Sequence, residues 1–419
     1  MKYDLIIIGA GLSGFMAAKR AAEGGLNVLI LSKGLGVHQI FSGCIDLLGY
    51  YPEDNPRFLE SPFEGIQGLT TSKTSHPYFL AGIDDIIDGL NSFLDIFENE
   101  YCYIEGKNQL IPTSIGTLKP SYLIPITMID GAFPFKDDIL LLGIKELQYF
   151  SSPLAALNLK RYGNVRSNEI SIYEIINQKN IYPVQIANLF DKAEFREKFI
   201  TLISKKIKGV KLVGMPAILG RDKFREAINH LESELDVEIF EIPTLPPSIP
   251  GYRLYKRFRR YLDNLGVEIR LGVEVIKGEV RKGKIVQLLA NLREKEEIFR
   301  AKYFLLTTGR FISNGLKAKK GTVSEPIFNL PLYSLKDKEK WFNYDFFYPK
   351  GHMINNFGVM VDNRFFPVDE KGDRMYENLK AAGSVLAYHN SFREKSGAGI
   401  AITTGYSSVS DWIKYERKY

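Results

Sequence analysis

The stretch LIIIGAGLSG (Leu5–Gly14) decides the fold of this chain. Residues Lys2–Ile8 are a short, β-rich apolar run that ends at glycine, which predicts a buried strand. Residues Ser13–Gly24 carry apolar side chains at helical spacing, and Leu26–Leu31 predicts a second strand. A GxGxxG turn between a strand and a helix, inside a βαβ unit of about 30 residues, is typical of a nucleotide-binding fold.

Each glycine of this turn has a physical role in such a fold. Gly9 permits the tight turn, Gly11 lets a phosphate approach the backbone, and Gly14 lets the helix pack closely on the sheet. The start of the helix offers free N–H groups and a partial positive charge to an anion. The sequence therefore predicts phosphate contacts at Gly9, Gly11, Leu12, Ser13 and Gly14. The competing interpretation is a vestigial fold that binds nothing.

Two later segments distinguish a flavin from a nicotinamide cofactor. LLTTGR (Leu305–Arg310) is similar to a strand end of flavoprotein dehydrogenases, and residues Asn378–Gly405 are similar to their C-terminal closure. A helix opening at Gly397 would direct its partial positive charge at the flavin pyrimidine edge, which is anionic after reduction. The competing interpretation is a glycine-lined structural helix start. The predicted flavin contacts are Thr308, Gly309, Gly383, Ser384, Gly397, Ala398 and Gly399.

The loop Gly34–Gly49 lies where such enzymes surround the ribityl chain, which makes Ser42 and Gly43 candidate contacts. Cys44 is interpreted as a small buried residue, with a redox thiol as the alternative. The chain has two cysteines and no CxxC, so we expect neither a metal site nor an iron–sulfur cluster.

Composition excludes several function classes. The chain has 419 residues, of which 45% are hydrophobic, and a net charge of +6. The densest basic run, Tyr255–Asn264, is interpreted as an exposed helical face, and without an RNA-binding motif beside it we expect no nucleic-acid partner. No apolar run reaches the roughly 18 residues of a membrane span. We expect a cytoplasmic protein.

The order of the segments predicts an α/β protein with a discontinuous domain. A Rossmann-like flavin-binding domain would comprise residues 1–130 and 265–419, built from the N- and C-terminal segments. Residues 131–264 would form an inserted α/β lobe that serves as a cap or contacts a partner. Within that lobe, EISIYEI (Glu169–Ile175) predicts a strand.

Nearly the whole chain resembles the B subunit of anaerobic glycerol-3-phosphate dehydrogenase. The resemblance rests on GAGLSG (Gly9–Gly14), FSGCIDLLG (Phe41–Gly49), HPY (His76–Tyr78), GTL (Gly116–Leu118), MPAILG (Met215–Gly220), PTLPPSIPGYRL (Pro243–Leu254), TTGRFISNGLKA (Thr307–Ala318), DFF (Asp345–Phe347) and AAGSVL (Ala381–Leu386). The proline segment is the most distinctive of these.

The resemblance implies a multi-subunit enzyme that oxidises sn-glycerol 3-phosphate to dihydroxyacetone phosphate. It implies a catalytic A subunit that carries FAD and a B subunit that carries FMN. It also implies an iron–sulfur C subunit that anchors the pair and passes electrons to quinone. The chain would then lie at the inner face of the cell membrane through a partner subunit.

The end of the second strand bears on the choice between FMN and FAD. A dinucleotide fold places an acid there to bind the adenosine ribose, but this chain has Ser32 and Lys33. A buried hydroxyl without a partner costs about 1–3 kcal/mol, and a lysine favours a phosphate dianion. Ser32 and Lys33 are thus candidate contacts, and the pattern favours FMN. FAD stays open because another loop could supply the acceptor.

No side chain is required as a nucleophile, because the flavin itself carries the redox chemistry. His352, His389 and Arg393 are the candidate catalytic residues, with a purely structural role as the alternative for each. Two other functions stay open: a self-sufficient FAD oxidoreductase of a small hydroxy substrate, and a non-catalytic scaffold with a degenerate nucleotide fold.

Overall fold

A computed structural model describes residues 2–97, 99–293 and 295–416. The strands are β1 (Tyr3–Ile8), β2 (Val28–Ser32), β3 (Tyr50–Tyr51), β4 (Arg57–Phe58), β5 (Tyr101–Cys102), β6 (Gln109–Pro112), β7 (Leu118–Ser121), β8 (Ile124–Pro125), β9 (Ile139–Ile144), β10 (Val165–Ile170), β11 (Leu212–Pro216), β12 (Glu238–Ile242), β13 (Glu268–Leu271), β14 (Val273–Arg281), β15 (Lys284–Leu292), β16 (Lys295–Phe299), β17 (Ala301–Leu306), β18 (Lys317–Lys319), β19 (Thr322–Ser324), β20 (Leu332–Tyr333), β21 (Gly358–Val359) and β22 (Leu379–Ala381).

The helices are α1 (Leu12–Glu23), α2 (Pro62–Ser72), α3 (Pro77–Ala81), α4 (Ile83–Phe97), α5 (Ser152–Leu159), α6 (Tyr173–Ile176), α7 (Pro183–Phe190), α8 (Ala193–Ile203), α9 (Phe224–Leu235), α10 (Ile249–Asn264), α11 (Ser391–Glu394), α12 (Gly397–Ser408) and α13 (Ser410–Glu416). In the described part of the chain, no helix combines the length and the apolar character needed to cross a membrane.

The chain divides into two compact units. The first comprises Met1–Val37, Asp46–Glu98 and Arg257–Tyr419, and the second comprises His38–Ile45 and Asn99–Lys256. The domain boundaries expected from the sequence stay a prediction.

A five-stranded sheet in the order β13-β2-β1-β17-β22 forms the centre of the first unit. Strand β1 pairs in parallel with β2 on one side and with β17 on the other. The residues of β2 are all buried, as expected for a parallel sheet covered on both faces. Because β1 and β17 come from opposite parts of the chain yet share this sheet, the predicted Rossmann-like α/β fold built from N- and C-terminal segments is confirmed.

The second unit contains a four-stranded parallel sheet in the order β10-β9-β11-β12. Helices α5, α7, α8 and α9 alternate with these strands, as in an α/β fold. The predicted strand over Glu169–Ile175 is wrong after its first two residues, since β10 ends at Ile170 and α6 begins at Tyr173. The buried Glu146 carboxylate accepts hydrogen bonds from the Ser171 hydroxyl and the Ile172 N–H, which turns the chain out of the sheet.

Candidate functional site

The glycine turn between β1 and α1 is shaped by its backbone neighbours. Gly9 has φ of +121°, and a Cβ at this position would overlap the carbonyl oxygen of Thr307. A Cβ on Gly14 would overlap the carbonyl oxygen of Gly9, whereas a Cβ on Gly11 would have no atom within 4 Å. Gly9 and Gly14 therefore close the turn, while Gly11 leaves an open approach to the backbone.

The start of α1 can receive an anion. Its N-cap residue, Gly11, has no capping side chain, and its first turn contains no acidic residue. The first N–H groups of a helix have no partner within the helix and carry its partial positive charge. Leu12 and Ser13 are both buried in this first turn. These features fit a phosphate or pyrophosphate group.

The C-terminal segment packs on this turn through small residues. Gly383 has φ of +81°, and a Cβ at this position would overlap the Ser13 hydroxyl oxygen. A Cβ on Gly405, within α12, would overlap the carbonyl group of Ser13. The Gly383 N–H donates to the hydroxyl of Thr404 at 2.8 Å. The structure thus brings together Ser13 and Gly383, predicted contacts from opposite ends of the sequence.

The turn after β17 lies close to Ser384, the residue that follows Gly383. A Cβ on Gly309, which has φ of +74°, would lie 3.5 Å from the Ser384 hydroxyl oxygen. Among the described residues, the neighbouring Thr308 hydroxyl is buried and has no hydrogen-bond partner. A buried hydroxyl without a partner costs about 1–3 kcal/mol. This hydroxyl is therefore a candidate contact for a ligand at the turn.

Helix α12 begins at Gly397, as the sequence predicts, but its start is held by distant residues. The N-cap residue Ser396 makes no side-chain cap, and its hydroxyl donates to the Glu394 carboxylate at 2.7 Å. Ala398 is buried, and a Cβ on Gly399 would overlap the Tyr78 hydroxyl oxygen. Gly399 is thus required by packing.

Glu394 is the centre of a buried polar network that the sequence analysis missed. Its carboxylate accepts hydrogen bonds from the Ser396 hydroxyl, from the Asn390 N–H at 3.1 Å and from His76 Nε2 at 3.4 Å. His76 Nδ1 accepts from the Tyr78 N–H at 3.1 Å, so Nε2 carries the hydrogen. Burial alone would raise the pKa of Glu394, but the hydrogen bond from His76, the electrostatic interactions with His76 and His389 and the hydrogen bond from Ser396 outweigh it and lower that pKa to about 2.

Arg310 and His389 extend the same network. The Arg310 guanidinium donates to the carbonyl oxygens of Leu386 at 2.8 Å and His389 at 3.0 Å. It also lies 3.1 Å from His389 Nδ1. Burial lowers the pKa of Arg310 to about 10, which leaves it a cation at neutral pH. Burial and the Arg310 charge lower the pKa of His389 well below its ordinary value, so this ring resists taking up a proton.

Arg393, a candidate catalytic residue, is bound to backbone carbonyls. Its Nε donates to the carbonyl oxygen of Glu53 at 2.9 Å, and its guanidinium also donates to that of Pro349. The Glu53 carboxylate accepts from the side-chain amides of Asn356 and Asn390, each at 3.0 Å. The amide oxygen of Asn390 is buried and has no partner within residues 2–97, 99–293 and 295–416. Arg393 thus links loops around the network.

Ser42 and Gly43 lie in the second unit. The Ser42 hydroxyl accepts from the Cys44 N–H and from Lys119 Nζ, both at 3.3 Å. The Gly43 carbonyl oxygen accepts from the Tyr101 hydroxyl at 2.6 Å. Cys44 is fully buried and lies against Met128, as the interpretation of a small core residue requires. The contacts of Ser42 and Gly43 with a cofactor stay a prediction.

Comparison with known proteins defines the family. Residues 4–400 match a family of FAD binding domains. The probable B subunit of anaerobic glycerol-3-phosphate dehydrogenase from Halobacterium salinarum is 30% identical over 420 residues, which cover 97% of this chain and 96% of the relative. The chain belongs to this family of dehydrogenase B subunits.

A second B subunit, from Mannheimia succiniciproducens, is 28% identical over 437 residues, and the match covers 99% of each chain. Among solved structures, 3-ketosteroid Δ1-dehydrogenase from Sterolibacterium denitrificans is similar, with 10% identity, a TM-score of 0.43 and 99% coverage of both chains. The family of dehydrogenase B subunits that the sequence motifs indicate is therefore confirmed.

The residues that suggested FMN in this B subunit have other partners. The Ser32 hydroxyl donates to the Gly34 carbonyl oxygen at 2.7 Å. Lys33 Nζ pairs with Glu274 at 3.1 Å, and both side chains are exposed. Glu274 therefore places a carboxylate beside the end of β2 and neutralises the lysine charge. The family match is to FAD-binding domains and gives the FMN preference no support.

His352 stabilises a surface loop of the B subunit. Its Nδ1 accepts from the Asn343 N–H at 3.1 Å, and its Nε2 lies 3.0 Å from the Phe346 carbonyl oxygen. A catalytic role for His352, as for His389 and Arg393, stays a prediction. The signal that could have located the buried network is HPY (His76–Tyr78), which the sequence analysis used only for the family resemblance.

Proposed function

We propose that this chain is the flavoprotein B subunit of an anaerobic glycerol-3-phosphate dehydrogenase, which oxidises sn-glycerol 3-phosphate to dihydroxyacetone phosphate. The observation that carries the proposal is similarity over nearly the full length to B subunits of this enzyme. The open space beside the Gly11 backbone also supports the proposal. In a vestigial fold that binds no phosphate, side chains would be free to fill this space. A bound flavin supplies the redox chemistry, accepting and passing on the two electrons of the alcohol oxidation.

The cofactor in this proposal is FAD. Its pyrophosphate would be held by the α1 start, at Gly9, Gly11, Leu12, Ser13 and Gly14. The Glu274 carboxylate would replace the missing acid at the end of β2 as acceptor for the adenosine ribose. A mononucleotide such as FMN has no adenosine ribose, so this contact would exist only with FAD.

The ring end of the cofactor would lie among the residues after β17 and before α12. The unpartnered Thr308 hydroxyl and the turn at Gly309, Gly383 and Ser384 support this placement. The α12 start, at Gly397, Ala398 and Gly399, would contribute positive potential. The buried network at Glu394 would hold that start in position, because the carboxylate accepts from the Ser396 hydroxyl and from the Asn390 N–H just before the helix.

The partners in this proposal are a catalytic, FAD-containing A subunit, together with an iron–sulfur C subunit that anchors the assembly at the inner face of the cell membrane. The relatives are named as B subunits, which implies further subunits. Electrons would leave this chain toward quinone through the iron–sulfur subunit.

The test is to purify the chain, release its cofactor and weigh it by mass spectrometry. FAD is expected, and FMN alone would contradict the cofactor assignment. Turnover of glycerol 3-phosphate with an artificial acceptor is then measured with and without the A subunit. Turnover only with the partner supports the proposal. Turnover by the chain alone would indicate a self-sufficient oxidoreductase, and failure to take up flavin after refolding would indicate a scaffold.

A further inference from the structure

Residues 342–347 present aromatic side chains to solvent in the first unit. Four of the six are aromatic and exposed: Phe342 at 57%, Tyr344 at 107%, Phe346 at 79% and Phe347 at 86% of their reference surface. Aromatic side chains this exposed project from the surface instead of lying flat on it. An exposed apolar cluster of this kind marks an interaction site.

The aromatic side chains project from a loop that is held in place by packing and hydrogen bonds. Beneath them, Trp341 is buried, packs edge-on against Phe357 and donates its indole N–H to the Leu335 carbonyl oxygen at 2.7 Å. The Asp345 carboxylate accepts from the Phe347 N–H at 3.0 Å, which closes the tip. His352 binds the other side of the loop, as described above. The exposure of the four rings is thus maintained by specific hydrogen bonds.

Lysines surround this tip. The short helical turn Lys338–Lys340 precedes it, and Lys338 Nζ lies 3.5 Å from the Lys320 carbonyl oxygen in the turn between β18 and β19. The exposed lysines of the two segments and of the loop are Lys317, Lys319, Lys320, Lys336, Lys338, Lys340 and Lys350. The exposed acids among them are Asp337, Glu339 and Asp345, so the surface carries an excess of positive charge.

We propose that this aromatic–lysine surface, the four exposed rings with the seven lysines around them, binds an anionic lipid bilayer. The amphipathic Tyr344 ring favours the headgroup level of a membrane, and phenylalanine rings bury apolar surface at the boundary between headgroups and acyl chains. Each lysine near an anionic surface improves partitioning by roughly fivefold. The rings would contribute buried apolar area and the lysines electrostatic attraction, the two terms that set the strength of binding at an anionic membrane surface.

The alternative occupant of this surface is another protein. Protein interfaces are enriched in aromatic residues but depleted in lysine. A tip of projecting rings bordered by seven lysines fits a lipid surface better than it fits a protein pocket. The proposal does not depend on the proposed function, since lipid binding requires neither substrate nor turnover.

The test is sedimentation of the purified full chain with vesicles of phosphatidylcholine containing roughly a quarter phosphatidylglycerol. Binding is expected at low ionic strength, with at least about tenfold weaker binding to pure phosphatidylcholine. The double variant Phe346→Ser/Phe347→Ser should bind the anionic vesicles at least about tenfold less tightly, because it removes two buried rings from the lipid contact. Lys338→Glu/Lys340→Glu should weaken binding by more than about tenfold and reduce its dependence on salt.

The matched control is Leu157→Ser/Tyr182→Ser, which removes two exposed apolar side chains from the second unit and should bind as the unchanged chain does. Circular dichroism and flavin content verify that all variants are folded. The proposal is overturned if the unchanged chain ignores anionic vesicles, or if Phe346→Ser/Phe347→Ser binds them normally. It is equally overturned if that variant no longer binds its partner subunits while its vesicle binding is unchanged, which would identify a protein docking site.

Discussion

The starts of α1 and α12 are both rich in glycine, but they are built in different ways. At α1 the glycines settle the geometry locally: Gly9 and Gly14 close the turn, and Gly11 leaves it open. At α12 the start is held by Glu394, whose partners include His76, 318 residues earlier. A glycine pattern therefore predicts a site from sequence only where the glycines make room for neighbouring backbone, as at α1. Where side chains from distant parts of the chain fix the helix start, as at α12, the pattern alone is not sufficient.

The largest expected effect tests the local construction of the α1 turn. Gly14→Val should lower the free energy of unfolding by more than about 4 kcal/mol, because its side chain would overlap the Gly9 carbonyl oxygen and the helix cannot move away. Urea unfolding monitored by circular dichroism measures this change.

The matched variant is Gly11→Ala, which enters open space. It should change the free energy of unfolding by less than about 1 kcal/mol and weaken flavin binding at least about tenfold, since a methyl group would occupy the phosphate approach. If Gly14→Val and Gly11→Ala lowered the free energy of unfolding equally, Gly14 would not be needed for packing any more than Gly11 is, and the different roles assigned to them would be wrong.

The next effect tests the α12 start. Glu394→Gln should lower the free energy of unfolding by about 3 kcal/mol at neutral pH, because it removes a buried carboxylate from His76 and Ser396. The folded-state pKa of Glu394, about 2, lies below the ordinary value of 4.5. The stabilisation is therefore complete above pH 4.5 and is lost as pH falls toward 2.

The difference between the unchanged chain and Glu394→Gln should accordingly shrink from about pH 5 to about pH 3 in urea unfolding. The exposed Glu370 supplies the control, since Glu370→Gln should behave as the unchanged chain at every pH. A difference that stays constant with pH would show that the Glu394 charge contributes nothing.

A smaller effect is expected at two neighbouring threonines beside the α1 turn. The Thr307 hydroxyl is assigned a structural role, and the Thr308 hydroxyl is assigned to ligand binding. Thr307 donates to the carbonyl oxygens of Ile8 and Gly9 at 3.0 and 3.1 Å, whereas the Thr308 hydroxyl has no partner in the part of the chain that the structure describes. Thr307→Val should lower the free energy of unfolding by about 1–2 kcal/mol. Thr308→Val should leave it unchanged or slightly raised, yet weaken flavin binding by about threefold to tenfold. Calorimetric titration with FAD measures the binding, and the reverse assignment of the two effects would refute this division.

The smallest expected effect concerns Glu274, the proposed acceptor for the adenosine ribose beside the end of β2. Glu274→Gln should weaken FAD binding by about threefold to tenfold, because it removes a charged acceptor from the ribose, and should leave FMN binding unchanged. Glu279→Gln, on the same strand but paired with Arg281, is the control. Equal losses of FAD and FMN affinity in Glu274→Gln would contradict its assignment to the ribose.

The sequence predicted the βαβ unit, the parallel sheet formed by both ends of the chain and the glycine turn, because each follows from short-range periodicity and backbone sterics. It misassigned residues Ser171–Ile175 as strand, since the apolar alternation continues past Ile170, where the buried Glu146 carboxylate binds Ser171 and Ile172. It also favoured FMN from Ser32 and Lys33, because the sequence does not show that Glu274 lies beside Lys33.

The sequence by itself determined the family, the fold class and the turn at Gly9–Gly14, since backbone conformation and hydrophobic periodicity are local properties of the chain. Only the tertiary structure decided which charges meet: Lys33 with Glu274, and His76 with Glu394. Electrostatic partners are chosen by distance in space, and burial then sets their protonation. Neither the distance between two side chains nor their burial can be read from the order of the residues.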